Sequence, residues 1–174
     1  ESNISELDEL HQTYALGKDL VVIVNPIFEY NGIGTGLDDE SLSILSKFGR
    51  KKNVYLNDAF VSLRKDGGNH IDNPVCKAAS TTIVISPQNE LMVPCYHLGT
   101  KSFSINNDLD LVYNSKEVKV LRDKEGKLKA CESCVINCYM QPSFAANMNK
   151  YFWKALPSTL KYNYIKGTWK QLFK

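Results

Sequence analysis

The sequence lacks an apolar segment long enough to cross a bilayer. Its longest apolar runs, such as Leu20 to Val24, fall far short of the ~20 residues that a transmembrane helix needs. It also lacks a strong charge of either sign, because 21 Lys and Arg residues stand against 19 Asp and Glu residues and leave a formal net charge of +2. These absences argue against a membrane span and against a global electrostatic attraction to nucleic acid.

The amino-terminal end lacks the features of a targeting segment. Residues Glu1 to Ile4 include neither a basic stretch nor an apolar one. A helix is predicted to begin almost at once, with no preceding element on which it could pack, so we expect the chain to be a fragment of a longer protein. Its 174 residues and 43% apolar content suit one full domain, or a truncated domain followed by a small domain that a bound metal stabilises.

The first 72 residues predict alternating helices and strands. An early helix is closed by Gly17, and the β-branched run at 20–24 is typical of a parallel strand buried on both faces. A second helix over about 39–48 and a short strand over 53–57 follow. This order predicts an α/β fold in which residues 1–72 form part of a (β/α) barrel or of an open parallel sheet.

A turn-rich segment at 66–70 separates this layer from the rest of the chain. Beyond it, strands at 81–86 and 90–93 predict a β-hairpin, whose connector ends at Asn89, a residue that tolerates positive φ. The stretch 106–129 is charged and rich in turn residues.

Aromatic side chains dominate the last part of the chain. From Pro142 onward they predict one or two amphipathic helices that pack back on the protein, the second beginning at Pro157. We therefore divide the chain into three predicted parts, residues 1–72, 73–140 and 141–174.

The chain lacks the even number of cysteines that a disulfide framework needs. It has five, so an oxidised secreted domain would leave one of them unpaired. The Cys131-x-x-Cys134 spacing is also closer to metal or redox use than to a disulfide pattern. We therefore expect a reducing, cytoplasmic location.

The cysteine spacing predicts a metal site with four thiolate ligands. A C-x-x-C pair, here Cys131 and Cys134, directs two thiolates at one centre, and two more ligands must come from elsewhere. Cys76 enters the predicted hairpin and Cys95 leaves it, so the hairpin brings them together. The spacing alone leaves a [4Fe-4S] cluster and a zinc ion equally open.

Two further residues are weaker candidates for this site. His97 follows Cys95 by two positions and could donate a hydrogen bond to a cluster sulfur or act as an alternative ligand. Cys138 could also be a ligand. For both, an ordinary structural role is the competing interpretation, since an isolated buried cysteine behaves as a small hydrophobic residue.

Three pieces of the cysteine region stand in a characteristic order: Asn73-Pro-Val-Cys76, the hairpin Ile83–Cys95 with proline before its cysteine, and Lys129–Cys134. This order resembles the C-terminal region of radical S-adenosylmethionine (SAM) enzymes that carry a SPASM or twitch extension. In the shorter twitch version such cysteines bind one auxiliary [4Fe-4S] cluster. The resemblance therefore favours iron–sulfur over zinc and implies four ligands, Cys76, Cys95, Cys131 and Cys134.

The resemblance also has implications for the rest of the chain. Residues 1–72 resemble the last part of the partial barrel of these enzymes, followed by a twitch-like hairpin domain and C-terminal helices. No cysteine follows Cys138, so one auxiliary cluster is implied, and the usual glycine of the hairpin turn is replaced near Asn89. The C-x3-C-x2-C loop that cleaves SAM in this family is absent from the 174 residues, so this chain alone is not expected to cleave SAM.

The parent enzyme implied by the resemblance would bind SAM and modify an unidentified substrate, a peptide or a small molecule, by radical chemistry. It would take electrons from a donor such as flavodoxin or ferredoxin. Two other functions are kept open: a structural or interaction module with a four-cysteine zinc site, and a standalone electron carrier with one cluster.

The end of the first predicted strand carries candidate substrate contacts. The loop Asn31–Gly36 has G-x-G-x-G spacing, which departs from the G-x-G-x-x-G of dinucleotide-binding loops. A flexible loop near the substrate, at the carboxyl end of a barrel strand, is the favoured interpretation. Asn25, Glu29 and Tyr30 lie at the same strand end and could contact SAM or substrate.

Overall fold

A computed structural model describes residues 4–16, 20–28, 37–98 and 101–172 of the chain. Its internal contacts divide the chain into two compact units. The first comprises Glu1–Ile27, Thr35–Asp66 and Met148–Lys174, and the second comprises Phe28–Gly34 and Gly67–Asn147. The C-terminal helical segment, predicted as a part of its own from residue 141, thus joins the first unit from Met148 onward.

The described elements are mostly short helices. In chain order they are α1 (Leu7–Tyr14), β1 (Val22–Ile23), α2 (Asp39–Gly49), β2 (Val54–Tyr55), α3 (Asp58–Lys65), α4 (Ala78–Thr81), β3 (Glu90–Val93), β4 (Lys101–Ser104), α5 (Leu109–Tyr113), α6 (Lys116–Arg122), α7 (Asn137–Ala146), α8 (Lys150–Lys166) and α9 (Trp169–Leu172). Short 3₁₀ turns lie at Ile4–Glu6 and Lys129–Cys131.

The first unit contains a narrow parallel pair of strands. β1 pairs with β2, with Val22 opposite Val54 and Ile23 opposite Tyr55. The expectation that the run at 20–24 is buried on both faces is wrong, because Leu20 is 53% exposed and Ile23 is 50% exposed. Two residues per strand leave too little sheet to be covered on both sides. The assignment of residues 1–72 to a partial barrel remains a prediction.

The predicted helix at 39–48 is confirmed as α2. Its N-cap is Asp38, whose carboxylate accepts a hydrogen bond from the Ser41 N–H at 2.8 Å. That hydrogen bond lowers the pKa of Asp38. The residues that the helix buries recur at helical spacing, and they are Leu42, Leu45 and Phe48.

Helix α3 was not predicted. Its N-cap is Asn57, whose side-chain oxygen accepts a hydrogen bond from the Ala59 N–H at 3.0 Å. The buried residues of α3 are nearly consecutive, which hides the helical period in the sequence; they are Ala59, Phe60, Val61 and Leu63.

Helix α8 packs within the first unit on the α2–α3 layer. The Asp58 N–H donates to the Ser158 hydroxyl at 3.3 Å, and the Lys161 ammonium donates to the carbonyl of Gly49 at 2.7 Å. The prediction that Pro157 begins this helix is wrong, since Pro157 lies inside it. The helix begins earlier because Asn149 caps it, and an internal proline removes one backbone hydrogen bond without ending it.

The second unit is built on the antiparallel pair β3–β4, with Leu91 opposite Phe103. The predicted hairpin partner at 81–86 contributes a single bridge, Ile85 to Leu91. Asn89 has φ 60°, as the turn prediction required. The predicted strand is short because Thr81 already belongs to α4, where its N–H donates to the Lys77 carbonyl at 2.9 Å.

The charged, turn-rich stretch 106–129 contains two helices that the sequence analysis did not assign, α5 and α6. Asp108 caps α5, accepting from the Leu111 N–H at 2.9 Å, and Ser115 caps α6. Both helices pack on β3 around one apolar cluster, whose buried members are Ala79, Leu91, Val93, Ile105 and Val118. This cluster gives the cysteine-bearing loops a packed support.

Candidate metal centre

The C-x-x-C pair lies on a tight turn. Cys131 ends a 3₁₀ turn, and the Cys134 N–H donates to the Cys131 carbonyl at 3.3 Å. Between them, Ser133 has φ 59°, a left-handed conformation that closes the turn. The two cysteines are thereby presented from one short loop.

The other two candidate ligands flank the β3–β4 support. Cys76 precedes α4, and Cys95 follows the end of β3. Cys76 is buried and Cys95 is half-buried, and all five cysteines of the chain are free thiols.

The four predicted ligands line one cavity in the second unit. The cavity has a volume of about 20 Å³ and an almost wholly apolar wall. The cysteines that line it are Cys76, Cys95, Cys131 and Cys134. Its remaining wall is formed by Ala78, Pro94, Leu98, Glu125, Gly126, Ile136 and Tyr139. Cysteines from three distant stretches of the sequence thus line one small cavity.

Burial controls the protonation of these thiols. It raises the pKa of Cys134 to about 11 and raises the pKa of Cys76, Cys95 and Cys131 as well. The neighbouring thiols raise the pKa of Cys76 further, since each disfavours a second negative charge nearby. The metal-free site therefore holds protonated thiols at neutral pH, and a bound metal must displace those protons.

The donor set has the chemistry of a thiophilic metal centre, because soft thiolates select zinc, copper(I) and iron–sulfur clusters. The cavity volume of about 20 Å³ is that of one water-sized group. A four-iron cluster is larger than this cavity, so the residues that line it would have to move apart to hold one. A single ion would require them to move inward, because no three Cys, His, Asp or Glu side chains of the described residues converge closely enough to hold one.

Asn69 ties the cysteine-bearing segments together. Its side-chain nitrogen donates to the carbonyls of Gly126 at 2.8 Å and Cys131 at 3.1 Å. Its side-chain oxygen accepts from the N–H groups of Val75 at 2.9 Å and Cys76 at 3.1 Å. The side chain is fully buried, and these four hydrogen bonds satisfy its whole capacity.

The backbone of Asn69 also pairs with the C-x-x-C turn. Its N–H donates to the Cys134 carbonyl at 3.0 Å, and its carbonyl accepts from the Ser133 N–H at 2.8 Å. The sequence predicts only a turn-rich segment at 66–70 and gives no sign of this role. The burial of a single asparagine cannot be predicted from the residues next to it in the sequence.

Two glycines allow the close approach of these segments. A Cβ on Gly68 would lie 2.5 Å from the Ser133 carbonyl carbon, and a Cβ on Gly126 would lie 2.9 Å from the Cys76 carbonyl oxygen. Both residues also have positive φ, at 91° and 71°.

Glu132 lies between the paired cysteines and links their turn to residues 70 and 71. Its carboxylate accepts from the Ile71 N–H at 2.9 Å and lies 3.0 Å from the His70 ring nitrogen. These two interactions lower the pKa of Glu132.

The two weaker candidates contact each other. The Cys138 sulfur lies 3.6 Å from the Nε2 of His97, on the exposed side of α7, and neither residue lines the cavity. His97 also packs edge to face against the rings of Phe28, Tyr96 and Tyr139. The structure thus places both next to the predicted ligands but outside the space that those ligands share.

Most of the predicted substrate contacts lie outside the described residues. These are Glu29, Tyr30 and the loop Asn31–Gly36. Asn25 is described and is exposed.

Comparisons with protein-family models, with curated proteins and with solved structures found no match to this chain. Among residues 4–16, 20–28, 37–98 and 101–172, no helix combines the length and apolarity that a membrane crossing requires. What supports a function is therefore the cysteine pattern and the cavity that the four thiols line.

Proposed function

We propose that the second unit binds one [4Fe-4S] cluster through Cys76, Cys95, Cys131 and Cys134. We further propose that the chain is the C-terminal part of a radical SAM enzyme, in which this cluster is auxiliary. The observation that carries the proposal is that the four thiols line one apolar cavity, although 55 positions separate Cys76 from Cys131 (131 − 76).

The bound cluster would supply one-electron transfer, which is the ordinary chemistry of such centres. The protein's own residues would bury it, exclude water from it and hold its ligands in place. If a cysteine thiolate ligated each of the four irons, no iron would have an open position for substrate. Such a cluster suits electron transfer or structural support better than direct substrate binding. The tight apolar wall and the hydrogen bonds of Asn69 suit this supporting role.

Zinc is the competing occupant, because four-thiolate zinc sites are common structural staples. The donor chemistry suits either group, and either one requires the thiols to move. The spacing alone does not decide between them, and the preference for the cluster comes from the resemblance of the cysteine-bearing pieces to a twitch extension.

Anaerobic reconstitution tests the choice. The chain is supplied with iron and sulfide in one sample and with zinc in another, and metal and sulfide are counted after desalting. The proposal expects about four irons per chain and a brown protein with a broad visible charge-transfer band. A colourless protein that retains one zinc and no sulfide would establish the zinc module instead.

The radical SAM part of the proposal needs a separate test, because a standalone electron carrier would give the same reconstitution result. The native reading frame is extended upstream and searched for C-x3-C-x2-C. A longer protein that carries this motif should form 5′-deoxyadenosine from SAM under reducing conditions, and the present chain should form none. A frame that opens close to Glu1 would favour the carrier.

The remaining proposals follow from that parent enzyme. They are a cytoplasmic location, a low-potential electron donor such as flavodoxin or ferredoxin, and a peptide or small-molecule substrate.

A further inference from the structure

Helix α8 of the first unit carries a row of large apolar side chains that is open to solvent. Trp153, Leu160 and Tyr164 are 57%, 42% and 79% exposed. They stand at positions i, i+7 and i+11, which places them on one face of the helix. The opposite face is the one that packs, since Tyr151 and Ser158 are buried there. This exposed row (the α8 row) is therefore no part of the core of its unit.

Only positive charge accompanies the α8 row in this part of the sequence. The segment Met148–Lys174 contains six lysines and no Asp or Glu. Lys154 directly follows Trp153, Lys166 lies two positions after Tyr164, and both lysines are exposed. The formal net charge of the whole chain is only +2, so this segment is strongly cationic within a nearly neutral chain.

A basic concavity adjoins the α8 row through Lys154. Its volume is about 210 Å³, and three exposed cations line it: Arg50 after α2, Lys65 at the end of α3 and Lys154 on α8. Among the described residues in its wall, Asp58 is the one carboxylate, so positive charge is in excess. In the described part of the chain no ion pair involves any of the three cations. Their charge is thus available to an external anion.

Of the partners that would cover such a surface, an anionic bilayer fits its composition best. Tryptophan and tyrosine concentrate at the boundary between lipid headgroups and acyl chains, and lysines beside them attract anionic headgroups. A protein partner fits less well, because lysine is depleted from protein interfaces. A second copy of the chain fits least, since it would bring six further lysines against the first six.

We propose that the α8 row and the basic concavity form one surface that binds an anionic phospholipid bilayer. Helix α8 lies along the bilayer surface, with the row inserted at the boundary of headgroups and acyl chains. Arg50, Lys65 and Lys154 hold lipid phosphate groups through charge-assisted hydrogen bonds. Membrane binding of this kind is independent of the proposed function, because these residues belong to the first unit and the cysteines to the second.

Co-sedimentation of the full metal-free chain with lipid vesicles tests the proposal. The wild type should bind vesicles of phosphatidylcholine mixed with phosphatidylglycerol, should not bind phosphatidylcholine alone, and should be released by high salt. Leu160→Gln/Tyr164→Gln removes most of the α8 row and should weaken binding to the mixed vesicles by more than ~10-fold. Leu111→Gln is the matched control, because Leu111 is 70% exposed on α5, outside this surface, and its binding should equal that of the wild type.

The contribution of the cations is measured in the same assay. Lys154→Gln removes one charge from the concavity and should weaken binding to the mixed vesicles about fivefold. Lys124→Gln removes the same charge from an exposed position in the second unit and should change the binding little.

Three results would overturn the proposal. The first is a wild-type chain that does not bind the mixed vesicles. The second is a wild-type dimer in analytical ultracentrifugation that Leu160→Gln/Tyr164→Gln dissociates, which would assign the α8 row to a second copy. The third is binding that Lys154→Gln weakens and Leu160→Gln/Tyr164→Gln does not, which would assign the cations to an acidic protein partner.

If Leu160→Gln/Tyr164→Gln loses helical content, fluorescence replaces that variant. Trp169→Phe leaves Trp153 as the single tryptophan of the chain. On addition of the mixed vesicles, the Trp153 emission should shift to shorter wavelengths and be quenched by brominated lipids. An unchanged emission would also overturn the proposal.

Discussion

The Cys76 backbone N–H donates a hydrogen bond of 3.1 Å to the side-chain oxygen of Asn69. The opposite end of the same amide donates to the Cys131 carbonyl, also at 3.1 Å. One fully buried asparagine therefore sets the separation of two predicted ligands that are far apart in the sequence. It does so through backbone groups, which leaves the thiols free to bind a metal.

Replacing Asn69 should disrupt the site before any metal is added. Asn69→Ala leaves two carbonyls and two N–H groups buried without their partner, and each such group costs about 1–3 kcal/mol. We expect the free energy of unfolding of the metal-free chain, measured in urea, to fall by more than ~3 kcal/mol. Asn73→Ala, at an exposed position nearby, is the control and should change it little. Equal stability of the two variants would show that Asn69 does not organise the segments.

The close contact at Gly68 gives a second prediction. Gly67 and Gly68 both have positive φ, at 84° and 91°, so alanine is strained at either position. At Gly67 the nearest atom to an added Cβ is on the His70 ring at 3.8 Å, whereas at Gly68 it is Ser133 backbone at 2.5 Å. Gly68→Ala should therefore be less stable than Gly67→Ala by more than ~1 kcal/mol in the same unfolding assay. Equal losses would mean that the C-x-x-C turn does not pack on Gly68.

The stability of the first unit should depend on pH through Asp66. Burial acts to raise the pKa of Asp66, but hydrogen bonds from Lys150 and Tyr151, at 2.9 and 2.8 Å, hold it below its ordinary value. A carboxyl with a lowered pKa stabilises the fold above its unfolded pKa of about 4 and loses that contribution as the pH falls further. The stability difference between wild type and Asp66→Asn should accordingly be largest near pH 7 and shrink below pH ~4.

Urea unfolding at a series of pH values measures this difference. Asp8→Asn is the control, since the Asp8 side chain is 69% exposed in its pair with Lys51 and such pairs contribute little. If the difference in unfolding free energy between wild type and Asp66→Asn stayed constant from pH 7 to pH ~3, the lowered pKa assigned to Asp66 would be contradicted.

The sequence predicted those features that depend on local pattern. Helix α2 was predictable because its buried residues recur at helical spacing, and the turn at Asn89 was predictable because asparagine tolerates positive φ. The cysteine set was predictable from one close pair and two cysteines that flank a hairpin. The structure brings these four together, and their role as ligands stays a prediction.

The features that the sequence did not predict depend on partners far along the chain. β3 pairs mainly with β4, and no local pattern selects Phe103 rather than Ile85 as the chief neighbour of Leu91. Asn69 acts through burial and through contacts with residues that lie tens of positions away. Its structural role could be recognised only from the three-dimensional arrangement.

The iron content of the reconstituted single-cysteine variants tests the central claim most directly. Each of Cys76, Cys95, Cys131 and Cys134 is changed to alanine, and Cys138→Ala is the matched control, since Cys138 contacts His97 and lies outside the cavity. We predict that each of the four variants loses most of its iron and its visible absorption, whereas Cys138→Ala retains most of both. Equal losses in Cys131→Ala and Cys138→Ala, or full iron in Cys76→Ala or Cys95→Ala, would contradict the account.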